Sequence, residues 1–180
     1  NEYTRTLPSN CSLMCSEVLQ WYIDNEEYRP TVWLYMYKRD FIVQNNLKFK
    51  GRIYEDDAFN YRAHTVPGSC FYLPLKLHYH VIHTSSITGL KIENRNIEGS
   101  ITLLEDMLDI YTNNGAPENH KKLLKFYAWF PLKLMTENAV FDKKLIIRYS
   151  KILTRNLSFC SLSMIKSLVK YILRFGNSIA

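Results

Sequence analysis

Hydrophobic positions follow two regimes along this chain. From about residue 96 onward they recur at helical spacing: Ile101, Leu104, Met107, Leu108 and Tyr111 fall on one stripe. Asn113-Asn114-Gly115 and then Pro117 supply a stop. A second helix is predicted over 118–136, with Trp129 and Phe130 inside it and Pro131 as a kink point. Two amphipathic helices follow. In 142–157, Leu145, Ile146, Tyr149, Ile152 and Leu153 keep the helical spacing, while Lys143, Lys144, Arg148, Lys151 and Arg155 lie largely elsewhere around the axis. In 161–175, Lys166, Lys170 and Arg174 stack at i, i+4 and i+8 among apolar residues.

The first half alternates faster. Residues 1–10 read as a loop, and Ser12 to Asn25 as a helix with Leu13, Val18, Leu19 and Tyr22 on one side. Arg29-Pro30 breaks it. Thr31 to Tyr37 is β-branched and aromatic, which predicts a strand. Lys38 to Asn46 predicts a short helix. A further helix follows Gly51-Arg52-Ile53-Tyr54-Glu55-Asp56-Asp57 and runs to about Thr65, before Pro67-Gly68. Cys70–Leu73 and Leu75–His83 read as extended segments interrupted by Pro74, and Thr84–Gly89 as a loop.

Composition adds a core and a charge asymmetry. The 180 residues are 47% hydrophobic with 13 Tyr and 9 Phe, enough to bury a core. Residues 1–120 hold 11 Lys/Arg and 15 Asp/Glu, whereas residues 121–180 hold 12 and 2. A mildly acidic body thus precedes a basic segment, which suits an anionic partner. No apolar run reaches the ~20 residues of a spanning helix. Cys11, Cys15, Cys70 and Cys160 show no zinc spacing and read as buried, reduced thiols.

Three consecutive acids at a helix start complement its positive end. They also offer chemistry. The helix dipole lowers a carboxylate's pKa and like-charge crowding raises it, so one acid of such a run can become a general base.

The surrounding residues extend that reading. Val32-Trp33-Leu34-Tyr35-Met36-Tyr37-Lys38-Arg39-Asp40-Phe41, Asn45-Asn46-Leu47-Lys48-Phe49, Gly51, Tyr54-Glu55-Asp56-Asp57-Ala58-Phe59, Tyr61-Arg62-Ala63, Phe71-Tyr72-Leu73-Pro74 and His83-Thr84-Ser85-Ser86-Ile87-Thr88 occur in that order. Over Trp33–Thr88, about a third of the chain, this series resembles the C-terminal half of the catalytic domain of bacterial family-2 glycosyltransferases. The resemblance implies an α/β chain: a partial GT-A (nucleotide-diphospho-sugar transferase) fold, acceptor-side half, with a mainly helical C-terminal part. Its expected division is 1–92, the acceptor-side part, and 93–180, a basic helical extension.

The resemblance also implies roles. Asp56 is the expected base of an inverting transfer from a nucleotide sugar to a saccharide or lipid-linked acceptor. Glu55 binds or orients the acceptor, and Asp57 is a helix-start charge. Gly51 suits close backbone approach to a sugar. Trp33 and Tyr37 either stack on sugar rings or lie buried under the sheet. Lys38, with Arg39, faces a diphosphate or solvent. His83 contacts the diphosphate or a metal, while His78 and His80 are structural; Ser86 belongs to the matching Ser-Ile-Thr segment.

The implied cofactors are a divalent metal (Mg2+ or Mn2+) and the nucleotide sugar. The family's opening motifs, an Asp-Asp-Gly-Ser segment and an Asp-x-Asp metal motif, do not occur here. The expectation is therefore a chain inactive by itself that needs a donor-binding N-terminal half. The expected setting is cell-surface polysaccharide synthesis in the cytoplasm, peripheral on the inner face of the membrane. Residues 143–175 would then meet an anionic membrane surface, or else pack as an ordinary helical subdomain. The alternative function is a non-catalytic scaffold, or a membrane-surface or nucleic-acid-binding module; no nucleic-acid-binding motif supports the last.

Overall fold

The computed structural model describes residues 12–51, 53–75, 77–79, 91–113 and 118–176, together with Leu7 and Val81. In chain order its elements are β1 Ser12–Met14, α1 Cys15–Asp24, a 3₁₀ turn Val32–Leu34, α2 Arg39–Gln44, α3 Glu55–Thr65, β2 Ser69–Phe71, α4 Asn94–Asn113, a 3₁₀ turn Glu118–His120, α5 Lys121–Asn138, α6 Lys143–Arg155, a 3₁₀ turn Leu157–Phe159 and α7 Leu162–Gly176.

The expected partial GT-A α/β fold is not what these residues form. Helices dominate, and the one sheet among the described residues is a pair of three-residue strands. β1 and β2 are antiparallel, with Leu13 opposite Cys70. Thr31–Tyr37 is no strand. Val32–Leu34 closes into a 3₁₀ turn through Leu34 N–H to the Thr31 carbonyl (3.2 Å) and Tyr35 N–H to the Val32 carbonyl (3.0 Å). Strand preference in aromatic and β-branched residues reflects packing against neighbouring strands. No strand runs beside this segment among the described residues, so its backbone groups pair locally. The opposite correction falls at Ser12. Residues 12–14 pair with β2, which delays α1 to Cys15, and Met14 N–H donates to the Glu17 carboxylate at 2.7 Å. Leu75–His83 contributes no strand among its described residues.

The β1–β2 pair also brings two thiols together. The Cys70 thiol donates to Cys15 Sγ at 3.3 Å, and both are free. Cys15 is buried, while Cys70 and Cys160 are half-buried. Cys11 lies outside the described residues.

The C-terminal helices follow their hydrophobic periodicity. Asp142 caps α6, its carboxylate accepting from Lys144 N–H (2.8 Å) and Leu145 N–H (3.1 Å). α5 continues through Pro131. Ile101, Leu104 and Met107 of α4 are fully buried with Leu124 and Leu132 of α5 and Tyr149 of α6. Each such aliphatic side chain contributes about 2 kcal/mol on burial. The Tyr149 hydroxyl donates to the Ala128 carbonyl, so its burial leaves no orphan donor.

That core also holds α3. Ala58 and Tyr61 of α3 and Leu19 of α1 belong to the same hydrophobic cluster as α4–α7. Gly99 lets α4 lie against the loop that precedes α3. A Cβ there would stand 3.0 Å from Ile53 Cβ and 3.2 Å from its carbonyl oxygen. On the outer side, both carboxylate oxygens of Asp106 accept from Arg62 Nη2, at 2.8 and 2.7 Å, and Lys50 Nζ reaches one of them at 2.9 Å. The helix that starts with the acids is thus fixed along its length to the central helix.

Candidate functional site

The chain enters α3 through two left-handed residues, Gly51 (φ +84) and Tyr54 (φ +62). Glycine takes that conformation without strain; tyrosine does so at a cost. Tyr54 occupies the N-cap position with no side-chain cap bond, and Glu55, Asp56 and Asp57 form the first turn. Their charge therefore compensates the helix end that the cap leaves open.

Each acid has a different fate. Asp56 is half-buried, and its Oδ2 accepts from Val32 N–H at 3.3 Å. That contact docks the 3₁₀ turn onto the start of α3 and so places Trp33, the next residue, in the same corner. The half-buried Trp33 ring stacks on His78, with centroids 4.7 Å apart and planes at 24°. Asp56 Oδ1 and the Glu55 carboxylate have no hydrogen-bond partner among the described residues. The turn–helix junction therefore holds Asp56 and, through the turn, the Trp33 ring stacked on His78.

Asp57 turns inward. Its Oδ1 accepts from the Tyr127 hydroxyl of α5, and its backbone carbonyl from the Tyr28 hydroxyl at 3.3 Å. Burial pushes its carboxyl up to about 6 from 3.8; the neighbouring Asp56 and Glu55 charges add to the rise and the Tyr127 bond opposes it. Burial, and then the Asp57 charge, hold both phenols well above the ordinary tyrosine range. Asp57 does sit at the helix start as expected. The sequence does not show that it is also the desolvated member of the run, with its carboxyl raised. Tyr127 comes from 70 residues away, and no local pattern announces it.

A buried titratable group also stands beside α3. His120, 1% exposed, lies at the start of α5 with Nδ1 3.3 Å from the Tyr61 hydroxyl and Nε2 without a partner. Burial pushes its imidazole down to about 4 from 6.5. The two groups oppose each other in stability. Between pH 3.8 and about 6 folded Asp57 holds a proton that the unfolded chain releases, so its contribution falls as pH rises. His120 stays neutral in the fold down to about pH 4, so its contribution is complete above 6.5 and fades as pH falls. Each amounts to roughly 3 kcal/mol across its window. Relative to the parent, Asp57→Asn is expected to gain stability as pH rises through this window, and His120→Asn to lose it. Urea unfolding at several pH values measures both, and three parallel profiles would refute the assignment.

The remaining expected residues disperse. Tyr37 points its hydroxyl at Asn60 and packs edge-on against Phe59 at 5.4 Å, so it belongs to the interior under α3. Asn60 is fully buried and also donates to the Pro30 carbonyl. Lys38 is exposed just ahead of α2. Gly51 is exposed, with open space where a Cβ would stand. His83 and Ser86, like His80, lie outside the described residues. Among the described residues no three His, Cys, Asp or Glu side chains are grouped as a metal would require.

No protein-family model, curated protein or solved structure matches this chain.

Proposed function

We propose that this chain carries the acceptor-binding corner and the catalytic base of an inverting glycosyltransferase. The enzyme transfers a sugar from a nucleotide donor to a saccharide or lipid-linked acceptor in cell-surface polysaccharide synthesis, at the cytoplasmic face of the membrane. The activity rests on the sequence resemblance over Trp33–Thr88 and does not extend to the fold. The observation that supports it best is the Asp56–Val32 contact. It ties Asp56 to the turn that carries Trp33, and Glu55 precedes Asp56 in the chain; the resemblance assigns all three to substrate. Aromatic faces bind the apolar side of a sugar ring, and carboxylates accept from its hydroxyls. Asp56 can hold the turn with one oxygen and take the acceptor proton with the other. The donor, with any metal bound to its diphosphate, would be held by a donor-binding segment expected N-terminal to these residues. Among the described residues no helix is long and apolar enough to cross a membrane, which is compatible with a peripheral placement.

The corner is testable without donor. Titration of oligosaccharides against the chain, followed by calorimetry and tryptophan fluorescence, is expected to show saturable binding. Trp33→Ala should weaken it at least about tenfold, as lost aromatic contacts do. Tyr37→Phe should leave it unchanged. Equal affinities for the parent and Trp33→Ala would exclude Trp33 as the platform.

A further inference from the structure

We propose that the exposed faces of α6 and α7 form one docking surface for an anionic lipid bilayer. This rests on the two helices themselves and stands whether or not the transfer activity does.

α7 has two apolar strips rather than one. Met164, Leu168 and Tyr171 are buried against the core. At 3.6 residues per turn, Leu162, Ile165, Val169, Ile172 and Leu173 fall on an adjoining strip that faces water. Leu162 is 77% exposed, Leu173 63% and Val169 49%. Isolated exposed leucines are ordinary, but a continuous strip along about three turns marks an interaction surface. Lys166, Lys170 and Arg174, all exposed, edge that strip. An apolar strip beside a cationic edge is the form of a helix lying in a membrane interface.

α6 extends the surface. A cleft of about 500 Å³, lined by Phe141, Ile147, Lys151 and Ile172 among others, separates the two helices. A second cleft of about 520 Å³ adjoins it, sharing Ile147 and Lys151, and is lined by Lys144, Arg148 and Arg155. An apolar groove thus opens beside one that Lys144, Lys151 and Arg155 edge and that the Arg148–Glu105 pair also lines, an order that suits acyl chain and headgroup in a lipid. Arg148 is engaged by Glu105 and Thr102, while Lys143, Lys144, Lys151 and Arg155 are exposed.

Charge decides the occupant. Between residues 142 and 176 the sequence holds a single acid, Asp142, and its carboxylate caps α6. A second copy docked through the same face would oppose cation to cation. Nucleic acid would satisfy the lysines but leave Leu162, Val169 and Leu173 against phosphates. An anionic bilayer satisfies both strips.

The test is flotation of the chain with vesicles. One set is phosphatidylcholine alone, and the other contains about one-third phosphatidylglycerol, each at low and high salt. Binding to the anionic vesicles is expected, weakened by salt. Reversing Lys166, Lys170 and Arg174 to Glu should reduce it about a hundredfold or more. Leu162→Ser with Val169→Ser and Leu173→Ser should reduce it at least about tenfold while leaving far-ultraviolet dichroism unchanged. Absence of binding by the parent chain to anionic vesicles would overturn the proposal. So would DNA binding that is indifferent to the serine substitutions, or a dimer in sedimentation that those substitutions dissociate.

Discussion

Asp56→Asn is expected to lower sugar transfer about a thousandfold in the enzyme supplied with its donor-binding segment, the usual scale for losing a general base. The substitution is a clean one. Asparagine keeps an oxygen to accept from Val32 N–H, so the Val32–Leu34 turn stays docked and Trp33 stays in the corner. Acceptor affinity should therefore change within about threefold, separating proton transfer from binding. Asp57→Asn gives the contrast. The Asp57 carboxylate is turned toward α5, where its Oδ1 accepts from the Tyr127 hydroxyl, so its amide variant should keep transfer within a few-fold. Full activity in Asp56→Asn, or a thousandfold loss in Asp57→Asn, would reassign the base.

The largest stability effect is expected at Asp106. Its side chain is 11% exposed and faces Arg62, 14% exposed, at 2.7 Å. Asp106→Ala leaves that guanidinium against α4 with no acid to receive it, which costs about 4 kcal/mol when a nearly buried pair is broken. Lys50 binds the same carboxylate at 2.9 Å but is 57% exposed, and water replaces its partner readily. Lys50→Ala should therefore cost no more than about 0.5 kcal/mol. Urea midpoints measure both. A loss under about 1 kcal/mol for Asp106→Ala would mean that the pair does not fix α3 to α4. That pair bears on function because α3 carries the acids.

The C-terminal helices were legible because a 3.6-residue period needs no distant partner to be read. Ile101, Leu104, Met107 and Leu108 line the buried side of α4, and the stop read at Asn113 is where α4 ends. Strands are another matter. Thr31–Tyr37 has strand composition, yet a strand exists only where another lies beside it, and here the run closes on itself. Ser12–Met14 shows the converse, reading as helix until its pairing with Ser69–Phe71 is known. Within the site, the acid run and its place at a helix start were readable from the residues. Which acid would turn toward α5 was not. Asp57 meets Tyr127 and Asp56 meets Val32 across 70 and 24 residues, and such meetings depend on how α5 and the 3₁₀ turn pack.

Under the proposed function this chain holds the acceptor corner and the base, while a separate segment holds the donor. Calorimetric titration with UDP-sugars and Mn2+ tests it most directly, on the chain alone and on the chain mixed with a separately expressed donor-binding segment. The expected result is no binding by the chain alone, and both binding and transfer by the mixture. Saturable binding of a UDP-sugar to the chain alone, or a mixture that binds donor without transferring sugar to any saccharide, would contradict it.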